Sequence, residues 1–172
     1  YAWWETYYKK SFLSVPDKKL EKYYWIQIYK MASAMNPESP VMDQIGPWLR
    51  ATGWARVWCN TNVQILYHSI MSSNRLELFK PFLTLFNKNH HKFEKAVPVK
   101  YRSKGSFALG RSMDIYGNTL GGWEYGNLTW ALHDYWMYCR FSGDEKLEKE
   151  EFFPLLKGAA RFMMSILTKD DQ

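Results

Sequence analysis

The sequence contains few of the residues that build metal or nucleotide sites. Its two cysteines, Cys59 and Cys139, lie far apart, with no Cys-x-x-Cys pair and no Cys/His cluster of the kind that holds zinc. A Ser/His/Asp set, a phosphate-binding loop and a His-Glu-x-x-His motif are also missing. We therefore expect no metal and no cofactor. The two thiols do not indicate whether the protein works in an oxidising or a reducing compartment.

Long apolar runs are missing as well. No segment reaches the length of a membrane span, and the mean hydropathy is −0.45, so we expect no membrane partner. The chain opens at Tyr1-Ala-Trp-Trp-Glu5 without an initiator methionine or a signal peptide. We expect residues 1–172 to form a single domain that is a fragment of a larger catalytic domain.

The net charge of +6 does not indicate a nucleic-acid partner. Lysines alternate with acids in segments 17–22 and 144–151, which is typical of solvated helix faces. Only segment 95–111 carries basic residues alone. We interpret it either as a loop that helps hold an anionic or polyhydroxyl ligand or as a solvated loop.

Aromatic residues are abundant, at 18% of the chain. The flat face of an aromatic ring packs well against the C–H face of a sugar, whose hydroxyls then hydrogen-bond at the edge. The alternative is that the rings only fill an aromatic-rich core. For any single ring the sequence leaves both interpretations open.

Helical periodicity dominates, and the alternation typical of strands is scarce, so we predict an all-α fold. The clearest helix covers Asp17–Met35. A second helix begins near Asn60 and breaks at 72–74, and a third resumes at Arg75, where Pro81 predicts a kink or a delayed start. The second and third resemble an antiparallel helix hairpin.

Two stretches without periodicity, 40–59 and 97–122, are predicted to be loops, and the second is long and Gly-rich enough to suggest a binding loop. Trp123–Phe141 is again helical, with Gly143 as its stop and Asp144 as the cap of the final helix. Helix-hairpin pairs joined by functional loops predict part of an (α/α)6 toroid. The chain supplies about half of the helices that a closed toroid of six pairs needs.

Asn60, Asn62 and Gln64 form the sharpest polar cluster. If a helix begins here, Asn60 lies at or near its N-cap and Asn62 in its first turn, so two amides could project into a cleft. Amides bind sugar hydroxyls or hold a water without bringing a charge. Spacing alone favours the simpler interpretation that Asn60 only caps the helix.

Two carboxylates and two histidines are weaker candidates. Glu124 sits where the Gly-rich loop enters a helix, and Asp114 in the same loop is a possible partner for hydrolysis of a glycosidic bond. The alternative for Glu124 is a helix-start acid favoured by the macrodipole. His68 and His133 lie within helices, where a lone histidine is more often a hydrogen-bonded core residue than a ligand.

Several segments, in order along nearly the whole chain, resemble α-L-fucosidases of glycoside hydrolase family 95. They are Trp3-Trp-Glu-Thr-Tyr-Tyr-Lys-Lys-Ser-Phe12, Leu20-Glu-Lys-Tyr-Tyr-Trp-Ile-Gln-Ile-Tyr29, Gly53-Trp54, Trp58-Cys-Asn-Thr-Asn-Val-Gln64, Gly121-Gly-Trp123, Phe141-Ser-Gly-Asp144 and Phe153-Pro-Leu-Leu-Lys-Gly-Ala-Ala160. The resemblance implies an (α/α)6 barrel, inverting hydrolysis of a terminal sugar such as α-L-fucose, and a secreted or periplasmic enzyme. It implies a glycan substrate and, as a partner, the remainder of the parent chain.

The resemblance also assigns roles to residues. It implies that Asn60 and Asn62 activate the attacking water with a distant Asp, while a Glu acts as general acid. Neither that Glu nor that Asp has a counterpart in this chain, and Glu124 is not their match, so the fragment alone is expected to be inactive. The substrate-binding residues expected around the pair are Trp54, Trp58, Gln64, Tyr67, His68, Trp123 and Glu124.

One departure from the family's sequence pattern affects the prediction of which sugar is bound. After the Asn pair the family continues into an Asn-Tyr-Trp-Pro run, whereas this chain has Leu66-Tyr67-His68-Ser69. A glycosidase acting on another terminal sugar therefore fits equally well. The alternative class is a non-catalytic helical domain that binds carbohydrate or serves as a scaffold.

Overall fold

A computed structural model describes residues 1–48 and 51–167, except for the side chain of Trp123. Its α-helices are α1 (Ala2–Tyr8), α2 (Lys18–Ala34), α3 (Asn62–Ser72), α4 (Lys80–Lys88), α5 (His90–Ala96), α6 (Asn127–Ser142), α7 (Glu145–Leu147) and α8 (Phe153–Ile166). Its strands are β1 (Val57–Trp58), β2 (Gly110–Met113) and β3 (Thr119–Trp123). Short 3₁₀ turns cover Leu76–Phe79 and Val99–Tyr101, and a π-helical turn covers Glu148–Phe152.

The first long helix, α2, confirms the helix that the periodicity predicts over Asp17–Met35. Asp17 is the N-cap of α2, and its carboxylate accepts hydrogen bonds from the backbone N–H groups of Lys19 and Leu20 at 2.8 and 3.2 Å. Met35 ends the helix. Helix α1 packs on α2 through Tyr7, whose hydroxyl donates to the Ile28 carbonyl at 2.9 Å.

The predicted break around Pro81 is also confirmed. The chain forms a 3₁₀ turn at Leu76–Phe79 and starts α4 only at Lys80, with Pro81 in the first turn, where its missing N–H costs no hydrogen bond. Phe79 and Phe82 from this segment pack on Tyr67 of α3, with ring centroids 5.5 and 5.3 Å away. This aromatic cluster fixes α3 against the core.

A three-stranded antiparallel sheet corrects the all-α prediction. The strand order is β1-β2-β3, and Val57 pairs with Met113 while Ser112 pairs with Leu120. The predicted loop 97–122 therefore contains β2 and most of β3. These strands are two to five residues long, too short for alternation to show, and β1 finds its partner more than fifty positions away.

The start of the following helix differs from the prediction too. Trp123 ends β3 instead of starting a helix, and α6 begins at Asn127 after the N-cap Gly126. The end of α6 is as predicted, with Gly143 in the left-handed conformation at φ 69°. Asp144 then caps α7 by accepting from the Leu147 N–H at 2.9 Å. The molecule is mostly helical, and α3 packs side by side with α6.

Candidate active site

The small sheet places the Asn segment at the start of α3. After β1, the backbone N–H of Cys59 donates to the carbonyl of Arg111 at 2.9 Å, which continues the pairing with β2. The chain then leaves the sheet through Asn60 and enters α3 at Asn62. Both amide side chains are half-buried at this junction.

Thr61, between the two asparagines, has a strained backbone. It is the N-cap of α3 with φ 148° and ψ −48°, a conformation that a β-branched residue rarely adopts. Asn60 therefore precedes the cap, and Asn62 is the first helical residue. Strain of this kind persists only where surrounding contacts enforce it, and it clusters at functional sites.

Gln64 supplies part of that enforcement. Its amide oxygen accepts from the Thr61 N–H at 3.2 Å, and its amide nitrogen donates to the Cys59 carbonyl at 2.6 Å. Only 2% of the residue is exposed. Gln64 thus holds the turn in shape, and both ends of its amide are used on the backbone.

Tyr67, the next predicted substrate-binding residue, is fully buried. Its hydroxyl accepts from the Met42 N–H at 3.0 Å, and burial raises the pKa of that hydroxyl well above its usual range. The side chain fastens the loop before β1 onto α3. Like Gln64, Tyr67 is buried and holds the backbone around the Asn segment in place.

Asn62 lines a small cavity of about 200 Å³. Trp58 and Thr61 lie on one side of it, and the loop residues Asp43 and Gln44 lie on another. Asp43 also caps a turn, because its Oδ1 accepts from the N–H groups of Ile45 and Gly46 at 2.9 and 2.8 Å. The sequence analysis missed Asp43 and Gln44, although an Asp three residues before a Gly is a turn signal.

The indole of Trp58 borders this cavity and contacts the indole of Trp54. Trp54 and Trp58 have ring centroids 4.7 Å apart, and Trp58 Nε1 donates to the Trp54 carbonyl at 3.1 Å. Trp54 is exposed. The pair therefore offers aromatic surface next to Asn62. The third predicted tryptophan, Trp123, has its side chain outside the described part of the chain.

Glu124 forms an ion pair with Arg111, with 2.6 Å between Oε1 and Nε. Asn127 donates to its other oxygen at 3.0 Å and to the Gly110 carbonyl at 3.1 Å. The hydrogen bonds from Arg111 and then Asn127 lower the pKa of Glu124. Glu124 is thus ionised at neutral pH and braces β2 against the start of α6. No local sequence pattern predicts its pairing with Arg111.

Asp114, the other candidate carboxylate, closes the turn between β2 and β3. It accepts from the N–H groups of Tyr116 and Asn118, both at 2.9 Å, and from the Asn118 amide at 2.7 Å. Burial raises the pKa of Asp114, but the hydrogen bonds from Asn118 and Tyr116 outweigh it and the net shift is downward. Its role in this structure is to shape the turn.

His68 lies one to two turns into α3 and is exposed. Its Nδ1 faces Oδ1 of Asp134 in α6 at 3.6 Å, and His133 Nδ1 faces the same oxygen at 3.8 Å. Asp134 was not singled out from the sequence. Its position only becomes notable once α3 and α6 are side by side.

Among residues 1–48 and 51–167, no group of three or more His, Cys, Asp or Glu side chains is arranged to hold a metal ion. In the same part of the chain, no helix combines the length and the apolar character that crossing a bilayer requires.

A half-buried amide beside an aromatic ring in a cavity can hydrogen-bond a polar ligand and pack against its apolar face. The chain belongs to the family described as "Glycosyl hydrolase family 95 catalytic domain", whose family model matches residues 6–172. It is similar to "Probable alpha-fucosidase A" of Aspergillus niger (strain ATCC MYA-4892 / CBS 513.88 / FGSC A1513). The two are 24% identical over 153 residues, which cover 83% of this chain and 19% of that protein. The chain thus spans about a fifth of the length of this relative.

Proposed function

We propose that this chain is the front part of the catalytic domain of an inverting, exo-acting glycosidase that removes a terminal sugar such as α-L-fucose. Its membership of glycoside hydrolase family 95 and its similarity to a protein named as an α-fucosidase support this proposal. Because the chain spans about a fifth of that relative, the proposal concerns the activity of a longer protein.

The observation that carries the proposal is the position of Asn62. It is the first residue of α3, half-buried, at a cavity shared with Trp58 and next to the strained Thr61. An amide oxygen at this position can accept a hydrogen bond from a water and so orient it. We assign Asn60 and Asn62 to hold the attacking water.

The chemistry also needs carboxyl groups, since glycosidic hydrolysis requires an acid on the leaving oxygen and a base for the water. Glu124 is ionised by Arg111 and Asp114 shapes a turn, so neither is suited to donate a proton. We propose that the general acid and the assisting Asp come from the remainder of the parent chain. The isolated chain is then expected to be inactive.

Exposed apolar faces support a place in a larger (α/α)6 toroid. On α2, Leu20, Tyr23 and Ile26 are each more than half exposed. On α6 and α8, Trp136 and Phe153 are exposed as well. We propose that further helix pairs of the catalytic domain cover these faces, because contiguous apolar surface of this kind usually marks an interface.

The test is hydrolysis of 4-nitrophenyl α-L-fucopyranoside by the whole protein. We expect Asn62→Ala to lower kcat by about 10²–10⁴-fold, the usual contribution of a group that activates a nucleophile. The matched control is Asn36→Ala, whose amide only accepts from the Glu38 N–H in an exposed turn. It is expected to leave kcat unchanged.

Two outcomes would overturn this assignment. An unchanged kcat in Asn62→Ala, with the fold intact, would return Asn62 to a purely structural role. Saturable sugar binding without any hydrolysis by the whole protein would favour the non-catalytic carbohydrate-binding alternative. The pairing of Glu124 with Arg111 favours this alternative, because it leaves Glu124 ionised and unsuited to donate a proton.

A further inference from the structure

The end of α5, the 3₁₀ turn Val99–Tyr101 with the loop after it, and one flank of α8 form a strongly basic surface, which we call the basic face. Its cations, all exposed, are Lys95, Lys100, Arg102, Lys104, Lys157 and Arg161. The first four belong to segment 95–111, which carries basic residues and no acid. The other two lie one turn apart on α8.

Backbone carbonyls hold two of these cations in place. Arg102 folds back along the chain, and its Nη2 donates to the carbonyls of Lys95 and Val97 at 2.9 and 2.8 Å. Arg161 reaches from α8 to the loop, where its Nη1 donates to the Gly105 carbonyl at 3.5 Å. The turn, the loop and α8 therefore present their charges on one surface.

A small apolar core lies beneath the basic face. It consists of Val97, Ala108 and Phe162, which are buried, with Tyr101 packed against them. The Ala108 N–H also donates to the Phe93 carbonyl of α5 at 3.0 Å. This packing fixes the positions from which the cations extend.

The cations of the basic face have no acidic partners. Within residues 1–48 and 51–167, no carboxylate forms an ion pair with any of them. Glu94 of α5 is half-buried and accepts from the Gly105 N–H at 2.9 Å, so it closes the loop. By contrast, Arg140, Lys146 and Lys149 are all paired with glutamates. Clustered like charges repel one another, and a bound counter-charge relieves this repulsion.

The basic face is separate from the apolar groove that we propose is covered by further helices. Leu156 lines that groove between α6 and α8. Arg161 lies five residues later, which turns it about 140° away around the helix axis. It contacts Gly105 there. Helices that cover the α6–α8 groove therefore do not have to cover the basic face.

The chemistry of the face indicates its partner. Exposed, unpaired cations attract polyanions, and Lys and Arg donate charge-assisted hydrogen bonds to sulfate and carboxylate oxygens. Single-stranded nucleic acid would need aromatic faces on which its bases stack. Tyr101 is half-buried, and Lys100 Nζ lies over its ring, 5.1 Å from the centroid. Because the chain belongs to a family of glycosyl hydrolases, an anionic glycan fits better than a nucleic acid.

We propose that the basic face binds an anionic polysaccharide, whose sulfate or carboxylate groups contact its lysines and arginines. Binding there would hold the enzyme on the polymer, apart from the residues that act on a terminal sugar. The inference rests on the proposed function only for that catalytic step. It specifies a charged glycan as the partner of the enzyme.

The test compares dextran sulfate with uncharged dextran, which has the same backbone. Binding of each polymer to the whole protein is measured by biolayer interferometry. We expect saturable binding of dextran sulfate alone, and we expect it to weaken as sodium chloride rises from about 50 to 300 mM, because salt screens the charges and opposes release of counterions.

Two variants with the same loss of net charge locate the binding. The test variant replaces three lysines of the basic face: Lys95→Gln, Lys100→Gln and Lys104→Gln. The control replaces three exposed lysines that are paired with glutamates elsewhere: Lys9→Gln, Lys18→Gln and Lys80→Gln. We expect the test variant to bind dextran sulfate about tenfold more weakly with a shallower salt dependence, and the control to change by less than about twofold. Both should hydrolyse 4-nitrophenyl α-L-fucopyranoside like the original protein, since this substrate is small and uncharged.

The outcomes separate this inference from the proposed function. Equal weakening in both variants would show that net charge alone drives binding and would overturn the basic face as a site. Equal binding of dextran and dextran sulfate would do the same. Tighter binding of polyuridylate than of dextran sulfate, lost in the test variant, would assign the face to nucleic acid instead. If no fucoside is hydrolysed but the test variant alone loses dextran sulfate binding, the proposed function is wrong and the basic face stands.

Discussion

Arg75 shows how a single residue joins the start of the chain to the core. It is fully buried and stacks on Tyr7, with its guanidinium carbon 4.4 Å from the ring centroid. It donates to the Tyr7 carbonyl at 2.9 Å, to the Ser11 hydroxyl at 2.7 Å and to the Ser73 carbonyl. Burial also raises the pKa of the Tyr7 hydroxyl to about 12.

We predict that Arg75→Met lowers the free energy of unfolding by at least about 2 kcal/mol, because it leaves two buried carbonyls without donors. Urea unfolding followed by circular dichroism measures the change. Arg56→Met is the control, since Arg56 is exposed and its effect should stay within about 0.5 kcal/mol. Equal effects of the two substitutions would mean that the Arg75 contacts contribute little.

Replacing Asp134 should affect stability in the opposite direction to replacing Arg75. Burial raises its pKa, while His68 and His133 act to lower it. With a raised pKa the folded chain binds this proton more tightly than the unfolded chain does. The contribution of Asp134 to stability is therefore most favourable at low pH, and it falls as the pH rises above about 4, the ordinary pKa of an unfolded Asp.

We predict that Asp134→Asn becomes progressively more stable than the original chain as the pH rises from 4 to 7. Urea unfolding at several pH values gives the comparison. A variant that loses stability relative to the original chain over this range would show that the ionised carboxylate stabilises the fold. A gain would fit a residue kept for function at a cost in stability.

The sequence singled out some of the candidate site residues and could not point to others. Asn60 and Asn62 stand out because they are two amides at a predicted helix start, a local pattern. Asp43 and Asp134 become candidates only through contacts with α3, which no local pattern encodes. Gln64 and Tyr67 hydrogen-bond to backbone groups, and the sequence does not reveal where those groups lie.

Among the elements, helices were predictable and strands were not. The bounds of α2, the break at Pro81 and the stop at Gly143 all follow from local periodicity, caps and breakers. The sheet depends on the pairing of β1 with β2, which are distant in sequence, and on strands with little alternation. Prediction therefore failed where non-local pairing decides the structure.

One helix contact is specific enough for a test. Gly158 in α8 lies under the ring of Phe107, and a Cβ added there would come within 2.1 Å of Phe107 Cδ2. The Phe107 N–H also donates to the Gly158 carbonyl at 2.9 Å, so the two backbones are tied together. Glycine is needed here for close approach and not for backbone flexibility.

We predict that Gly158→Ala destabilises the chain by about 1–3 kcal/mol, the usual cost of overpacking, although alanine is the better helix former. Gly126→Ala is the matched control, because a Cβ there meets no atom within 4 Å. Thermal unfolding compares the two. A Gly158→Ala variant as stable as its control would show that Phe107 moves aside freely.

For the whole molecule, the described residues form a helical frame with one small sheet, and the sheet and α3 together present the Asn pair. The core runs continuously from Tyr7 to Ala159, while apolar faces on α2, α6 and α8 stay open. These open faces are the physical basis for proposing a larger toroid. Composition and periodicity indicated an aromatic-rich helical domain, but only the packing shows which rings face outwards.

The isolated chain should therefore lack hydrolytic activity. We expect no release of 4-nitrophenol from the fucoside by the purified 172 residues, because the candidate carboxylates Glu124, Asp114 and Asp43 are committed to Arg111 and to turns. The whole protein assayed in parallel is the positive control. Turnover by the isolated chain that Asn62→Ala abolishes would show that its own carboxylates suffice.

The most direct test of the account is the stereochemistry of hydrolysis by the whole protein. If Asn60 and Asn62 hold a water that attacks the anomeric carbon directly, an α-L-fucoside must first release β-L-fucose. ¹H NMR of the anomeric signals in the first minutes distinguishes the two anomers before mutarotation. We predict that the β-anomer appears first. Initial release of the α-anomer would mean retention through a covalent intermediate, and would contradict the role assigned to the Asn pair.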